Sequence, residues 1–439
     1  MNRTVESEKT LLVDGPASVT VVSGKVKVFG SVLRNGRKVV IREGKRLPFT
    51  VEEATTFDIS LGDNANIEEV DGNTIPPSWI KAYEELLTLQ MKPVTAMVLG
   101  TVDSGKTSFC TYLTNKLLNE KQKVAILDGD LGQSDIGPPC TIAYTFVTRP
   151  ITDPFNIEAK NAFFVGVTSP SKAIDKVIEG LVSLKREILS NNLDFVIVNT
   201  DGWIEGEDAV NYKIQLVKQL NPDILFCIQQ KDELASLLNA LEKRRKVIVD
   251  SPSAIRQRSR EKRRSLRELG YIKYLKNAKV QSIPLSWLKI EENEFIGLSV
   301  TRGNTKKAWK IYELLGMKPL RLVELRDKIC MVIGRSRWIH SDNIRKVEEF
   351  TKKKVVVVRK GEEEGLLMAL YDAERKFLGI GVLLEIHYRR KVIKIYTPVS
   401  KDVSIVAIGK VKLDKNLKEI PPAFTEENQS NSTTFKRLF

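Results

Sequence analysis

One stretch constrains this chain more than any other: Gly100-Thr101-Val102-Asp103-Ser104-Gly105-Lys106-Thr107, which fits G-x-x-x-x-G-K-[ST]. It follows a short apolar run at 96–99 and precedes a stretch with helical spacing at 108–119. A buried strand passing through a glycine loop into a helix N-terminus is the context in which this motif cradles phosphate. The glycines let backbone N–H groups turn inward, and the helix dipole favours an anion there. At ordinary residue frequencies a chance match is expected in about one or two chains of this length per hundred. Lys106 is placed to reach the β- and γ-phosphates, and the Thr107 hydroxyl to ligate Mg²⁺.

The same loop dictates the fold around it. Apolar runs recur at 124–127, 195–198, 224–228 and 247–249, separated by helix-like segments. Strands that do not alternate are buried on both faces, so residues 93–285 are expected to form an α/β domain with a doubly wound parallel sheet. Residues 1–75 instead alternate apolar and polar positions, which predicts an N-terminal all-β domain with a hairpin at Asn35-Gly36. Residues 76–92, opened by Pro76-Pro77, read as a helical linker. Strand-like runs return at 355–358, 366–371, 381–388, 392–396 and 403–408, giving a C-terminal β-rich domain over 286–420 and a polar, mobile tail over 421–439.

Two strand ends face the loop in such a sheet. The run at 124–127 leads into Asp128-Gly129-Asp130-Leu131-Gly132-Gln133, where one acid can accept a proton and another can hold the metal shell. A turn that uses Asp and Gly for local hydrogen bonds is the plainer reading. The run at 195–198 ends in Asn199-Thr200-Asp201-Gly202-Trp203, a second source of a metal-associated acid in Asp201. Spacing alone does not decide among Asp128, Asp130 and Asp201. Trp203 stacks on a base if its loop is exposed, or plugs an interface if it is not.

Charge adds a further clue. Seventy Lys and Arg against 55 Asp and Glu leave +15, and residues 256–267 concentrate Arg256, Arg258, Arg260, Lys262, Arg263, Arg264 and Arg267 against Glu261 alone. A basic surplus of this kind suits a polyanionic partner. In a helix these arginines would share one face, where like charges at three- and four-residue steps repel until an anion arrives. That describes a lid over a triphosphate, with a static RNA-binding face and a solvated helix as the alternatives.

The remaining signals exclude more than they assign. Cys110, Cys140, Cys227 and Cys330 have no zinc or disulfide spacing, and His340 and His387 have no ligand spacing. No apolar run approaches the length of a bilayer span and the N-terminus lacks a signal h-region, so no membrane partner is expected and the place of action reads as cytoplasmic, or nuclear in a eukaryote. Trp309 and Trp338 lie near Lys306, Lys307, Arg335 and Arg337, which leaves an auxiliary RNA surface and ordinary packing both open.

Taken together, the Asp within the phosphate loop, the D-x-D-x-G-Q strand end, T-x-G-W and the R-x-x-x-R of Arg263 and Arg267 resemble the polynucleotide 5′-hydroxyl kinases related to the eukaryotic pre-mRNA cleavage-complex and pre-ribosomal-RNA-processing kinases. The resemblance is specific over 94–267 and weaker outside it. Few His and Gln and many Lys and Glu suit a thermophilic, archaeal-type member. It implies a nucleotide site of Gly100, Asp103, Ser104, Gly105, Lys106, Thr107 and Ser108, with Lys45 in the N-terminal domain helping to hold the base. It implies catalytic roles for Lys106, Asp130, Arg263 and Arg267, a substrate site of Gln133, Thr200, Gly202 and Trp203, and Mg²⁺ at Thr107 and Asp128. Asp201 departs from the Cys or Ser usual in relatives. The implied activity is ATP-dependent phosphorylation of the 5′-OH end of RNA, with DNA left open and RNA-processing proteins as further partners. A non-catalytic ATP-binding scaffold and a P-loop switch ATPase are the rival readings.

Overall fold

The computed structural model describes residues 1–291 and 305–420. The chain divides into two compact units, 1–270 and 271–439. The segment 421–439, expected as a mobile tail, lies outside the described residues.

In the first unit an antiparallel sheet leads. Its two long strands, Ala17–Val28 and Arg46–Leu61, pair along most of their length, and Asn2–Val5, Lys9–Asp14, Ser31–Leu33, Lys38–Ile41 and Ile67–Asp71 complete it. The alternation is real: Ala17, Val19 and Val21 are buried while Ser18 and Thr20 between them are half-buried. Asn35-Gly36 forms a turn but not the expected hairpin. The strands on either side of it both pair with Ala17–Val28, and Gly36 N donates to Val21 O at 2.7 Å. Val21 N also donates to Arg37 O at 3.2 Å, so the turn continues the pairing of this edge beyond Thr20.

The helix Pro77–Leu87 follows, with proline in its first turn, where the missing N–H costs nothing. Trp79 on this helix is fully buried, donates from Nε1 to Asp250 O at 3.0 Å and packs edge-on against Phe109 at 5.1 Å.

Next comes a seven-stranded sheet. Five parallel strands run in the order Val124–Asp128, Phe195–Asn199, Val94–Gly100, Ile224–Gln229, Lys246–Asp250. Thr141–Val147 and Asn161–Phe164, which the sequence reading passes over, extend one edge antiparallel. Helix Lys106–Asn119 covers one face with Phe109, Leu113 and Leu117, in the same apolar core as the N-terminal sheet. Helices Ile174–Leu189 and Glu207–Leu220 cover the other face with Val177, Leu181, Leu216 and Leu220. Helices on both faces account for the unbroken apolar strands. The strand Val94–Gly100 sits in the middle of the sheet, so its C-terminal loop opens between neighbours on either side.

The second unit contains a mainly antiparallel sheet of Lys279–Pro284, Val392–Thr397, Phe377–His387, Leu366–Tyr371, Ile405–Leu413 and Lys289–Glu291, around Met368, Leu383, Ile393 and Val406. It also contains a small α/β module. Helices Thr305–Leu315 and Ser341–Thr351 pack on a sheet of Arg321–Glu324, Lys328–Ile333 and Lys354–Arg359 around Ile311, Ile329, Met331 and Val347. Among the described residues no helix is long and apolar enough to cross a membrane.

Candidate active site

The loop between Val94–Gly100 and Lys106–Asn119 has the backbone its sequence demands. Asp103 (φ +57°) and Gly105 (φ +100°) are left-handed, and a Cβ on Gly105 would stand 3.0 Å from Pro252. Lys106 curls over the loop and donates from Nζ to Thr101 O (2.6 Å) and Gly100 O (3.1 Å). Burial lowers its pKa, against the pull of Asp130, Asp201 and Asp103. Ser104 Oγ is buried without a hydrogen-bond partner. An unsatisfied buried hydroxyl is rare and calls for an explanation; a phosphate oxygen supplies one.

This loop forms one wall of a cavity of about 580 Å³. Asp130 and Gln133 line another side, Arg258 and Lys262 a third, and Lys45, Asp14 and Asn64 of the N-terminal sheet close the far end. The volume suits a nucleotide-sized ligand. For a metal, the donors are the Thr107 hydroxyl and the Asp130 carboxylate. Among the described residues no three His, Cys, Asp or Glu side chains gather into a cage. Few protein ligands beside a polyphosphate are what Mg²⁺ accepts, so the residues fit Mg²⁺ carried in by a nucleotide.

The three candidate acids differ sharply. Asp130 Oδ1 accepts from the N–H groups of Gly132 and Gln133, both at 3.0 Å, while Oδ2 accepts no hydrogen bond from the described residues. The turn reading is therefore correct for one oxygen and leaves the other for chemistry. Burial raises its pKa, and Asp201 adds to this while Lys106 opposes it.

Asp128 is fully engaged. Oδ2 accepts from Asp135 N (2.8 Å) and Ile136 N (3.3 Å), and Oδ1 from Asn199 Nδ2 (3.0 Å) and Asp130 N (3.3 Å). Burial, with Asp135 and Asp130 adding, pushes it up to about 7. Asn199 Nδ2 also lies 3.5 Å from Thr107 Oγ1, so Asp128 reaches the loop hydroxyl through Asn199. Asp201 is buried: Oδ2 accepts from Lys213 Nζ and Tyr212 OH, each at 2.8 Å, and Oδ1 from Trp203 N at 3.0 Å.

That network shapes the 200–203 loop. Thr200 is buried and donates to Val98 O at 2.7 Å, tying the loop to the phosphate-loop strand. Gly202 lies flat on the phosphate loop, where a Cβ would come within 2.5 Å of Val102 N. Trp203 is half-buried and stacks on Tyr212 (5.6 Å, 23°), which places it between the two positions that the sequence leaves open.

The arginine-rich helix runs Arg260–Tyr274, capped by Ser259 Oγ accepting from Lys262 N at 3.1 Å. It starts later than a continuous arginine face requires. Arg256 precedes it and pairs with Asp14 at 3.1 Å. Arg258 Nη1 lies 3.2 Å from Asp103 Oδ1, and Arg263 Nη1 3.3 Å from Asp103 Oδ2. Gln133 Nε2 donates to Arg263 O at 3.1 Å, and Leu266 is buried beside Gly44. Arg267, farther along, is half-buried, and Ser108 lies on the cavity wall in the first turn of the loop helix.

Lys45 has acidic partners that the sequence does not disclose: Asp135 at 3.3 Å and Asp153 at 3.6 Å. Arg42 shares both acids, bonding Asp153 Oδ2 from Nε at 2.7 Å and pairing with Asp135.

Residues 100–277 match the family model of the mRNA cleavage and polyadenylation factor CLP1 P-loop. The central domain is similar to that P-loop family. Nucleotide binding is what this likeness and the loop geometry together support. The chain is similar to the polyribonucleotide 5′-hydroxyl-kinase of Methanocaldococcus jannaschii, 28% identical over 75% of this chain and 90% of that one. It is equally similar to the enzyme of the same name from Pyrococcus furiosus, 29% identical over 79% and 95%. Polyribonucleotide 5′-hydroxyl-kinase Clp1 of Xenopus tropicalis is 24% identical over 60% of this chain and 64% of that one. A solved Clp1p, in complex with Pcf11p, superposes with a TM-score of 0.66 at 13% identity over 94% of this chain and 97% of that one, which speaks for the fold.

Around the phosphate loop, the roles of Asn199 and Lys213 and the clustering of Asp103 with Arg258 and Arg263 were not legible in the sequence. Lys213 did leave a signal. It falls on the apolar stripe of its helix beside Ala209, Tyr212 and Leu216, where a lysine is buried only when paired.

Proposed function

We propose that this protein transfers the γ-phosphoryl group of a nucleoside triphosphate, ATP in the simplest case, to the 5′-hydroxyl end of RNA. The observation that carries the reading is that Lys106, Asp130 and Gln133 face one cavity that the arginine segment also lines. The loop N–H groups and Lys106 would hold the β- and γ-phosphates and draw charge toward the bridging oxygen. Asp130, held by its turn with one oxygen unengaged, would accept the proton of the attacking hydroxyl. Mg²⁺ brought in with the nucleotide would supply charge neutralisation on the phosphates. Thr107 would hold that ion, and Asp128 would orient Thr107 through Asn199.

Arg263 and Arg267 would close over the transferring group, with Arg258 as a further cation. Trp203, set by Asp201 and Gly202, would stack on the terminal base, with Gln133 beside the strand end. Thr200, hydrogen-bonded inside the sheet, would support that loop rather than touch RNA. Lys45 would form the base-side wall of the cavity together with its two acids. Stacking and phosphate contacts alone accept deoxyribose as well as ribose, so DNA ends are expected to react too. Docking to an RNA-processing protein, as Clp1p docks to Pcf11p, is the partner class this reading favours.

The test is label transfer from γ-labelled ATP and Mg²⁺ to matched RNAs ending in 5′-OH or 5′-phosphate. Label is expected on the 5′-OH strand alone. Lys106→Ala and Asp130→Asn should each lower the rate by about a hundredfold or more. Tight ATP binding without transfer would instead assign the protein to the scaffold class. Rapid hydrolysis without RNA would assign it to the switch ATPases.

A further inference from the structure

The α/β module at 305–360 takes no part in the chemistry above. It holds sixteen Lys and Arg against six Asp and Glu, so ten of the chain's fifteen surplus positive charges fall in about an eighth of its length. It has an apolar core of its own, and two of its large aromatics stay out of that core. Trp309 is 69% exposed and Trp338 is 68% exposed, whereas Trp79 in the first unit is 0% exposed. Packing, the plainer reading of these two residues, does not account for them.

Their surroundings indicate what they would meet. Lys306, Trp309 and Lys310 share the outer face of helix Thr305–Leu315, at the three- and four-residue steps that stack side chains. Tyr312 meets Trp309 edge-on at 6.1 Å, and an open groove beside them is lined by Met317, Lys318 and Glu313, the last an exposed partner of Lys310 at 3.0 Å that an incoming phosphate would displace. Trp338 carries the Arg359 guanidinium 4.0 Å over its ring, with Arg335 and Arg337 close in sequence. A protein-binding patch concentrates aromatics but depletes lysine at its centre. Indole faces interleaved with lysines and arginines are what a single strand needs, the rings for its bases and the cations for its phosphates.

We infer that residues 305–360 form an accessory single-stranded RNA-binding module, with Trp309 and Trp338 as base-stacking platforms and Lys306, Lys310 and Lys318 as phosphate contacts. The module binds the body of the strand whose 5′ end enters the P-loop cavity, and in naming that strand it rests on the kinase reading.

The test uses the full chain and a labelled single-stranded 5′-OH RNA of about 20 nucleotides, longer than the roughly 4–16 nucleotides that a single-strand module covers, beside one of about 4, which leaves little strand beyond the reacting end. Binding is read by fluorescence anisotropy at two salt concentrations, and phosphorylation is read on both lengths. Trp309→Ala and Trp338→Ala are each expected to weaken binding of the longer RNA about tenfold. KM for that RNA should rise in step, with kcat and the short-RNA parameters unchanged. Trp309→Phe should restore most of the affinity. Lys306→Glu with Lys310→Glu should flatten the salt dependence. Equal affinity of the alanine variants and the wild type for the longer RNA would overturn the inference and leave the patch to a protein partner. RNA binding lost in the tryptophan variants, in a protein that phosphorylates nothing, would sink the kinase reading and keep the module. Normal phosphorylation with unaltered binding would do the reverse.

Discussion

At the scale of single residues, the site depends on charges that are buried but not alone. Asp201 and Lys213 form an ion pair that is almost wholly removed from water, with Tyr212 OH as a third partner. Removing one member leaves the other uncompensated, which costs about 3–5 kcal/mol. Lys213→Met is therefore expected to lower the thermal midpoint strongly and to raise KM for RNA, because Trp203 takes its position from the Asp201 carboxylate. Adding Asp201→Asn to Lys213→Met should recover part of the stability. A double variant no more stable than the single one would show that the pair is not what holds the loop. Asp130 supplies a second residue-scale expectation. Its pKa is raised by burial and by Asp201, and a base works only when deprotonated. Activity should then fall with decreasing pH along a limb that begins above the ordinary aspartate value of about 4. A pH profile of kcat that is flat down to that value would remove Asp130 from the role.

Elements show how the phosphate loop and the arginine helix are coupled. Asp103 is left-handed and bridges Arg258 and Arg263, so the acid inside the loop neutralises the cations meant for phosphate. Asn tolerates the same backbone region and lacks the charge. In Asp103→Asn the backbone amides of 258–263 should exchange with deuterium faster in the nucleotide-free protein and regain protection when ATP is added. Equal protection without nucleotide would mean that Asp103 does not hold the segment. This coupling also marks the boundary of what the sequence discloses. The loop was legible because eight contiguous residues specify it, and the parallel strands because burial on both faces leaves unbroken apolar runs. The arginine segment was legible in composition but not in shape. Its start is set by Ser259, and the partners of Arg256 and Arg258 lie far away in the chain. Asn35-Gly36 shows the same limit: a local signal gave the turn, and long-range pairing decided that it was not a hairpin.

For the molecule as a whole, the sharpest consequence concerns how the N-terminal sheet is fastened to the P-loop sheet. The first unit joins them through one apolar core and through a buried charge cluster, with Arg42 and Lys45 on one side and Asp135 and Asp153 on the other. None of these contacts could be read from spacing, since the partners are some ninety to a hundred and eleven positions apart. Burial alone would raise the Asp153 pKa, but Lys45 and Arg42 outweigh it and hold the carboxyl at about 2. The unfolded value is about 3.9, so folding favours the ionised form. The resulting stability is present above pH 4 and is lost as pH falls through the folded value, a term on the order of 2 kcal/mol. Because the cluster also closes the far end of the nucleotide cavity, acid should loosen that wall together with the sheet contact. Asp153→Asn is expected to be less stable than the wild type at pH 7 by at least that amount, with Arg42 left to Asp135 alone. The gap between the two proteins in guanidinium titrations should narrow toward pH 2, where about half of the wild type has lost the same charge. A gap that stays constant from pH 7 to pH 2 would show that the link between the sheets rests on the shared apolar core, with the charge cluster contributing only to the shape of the cavity.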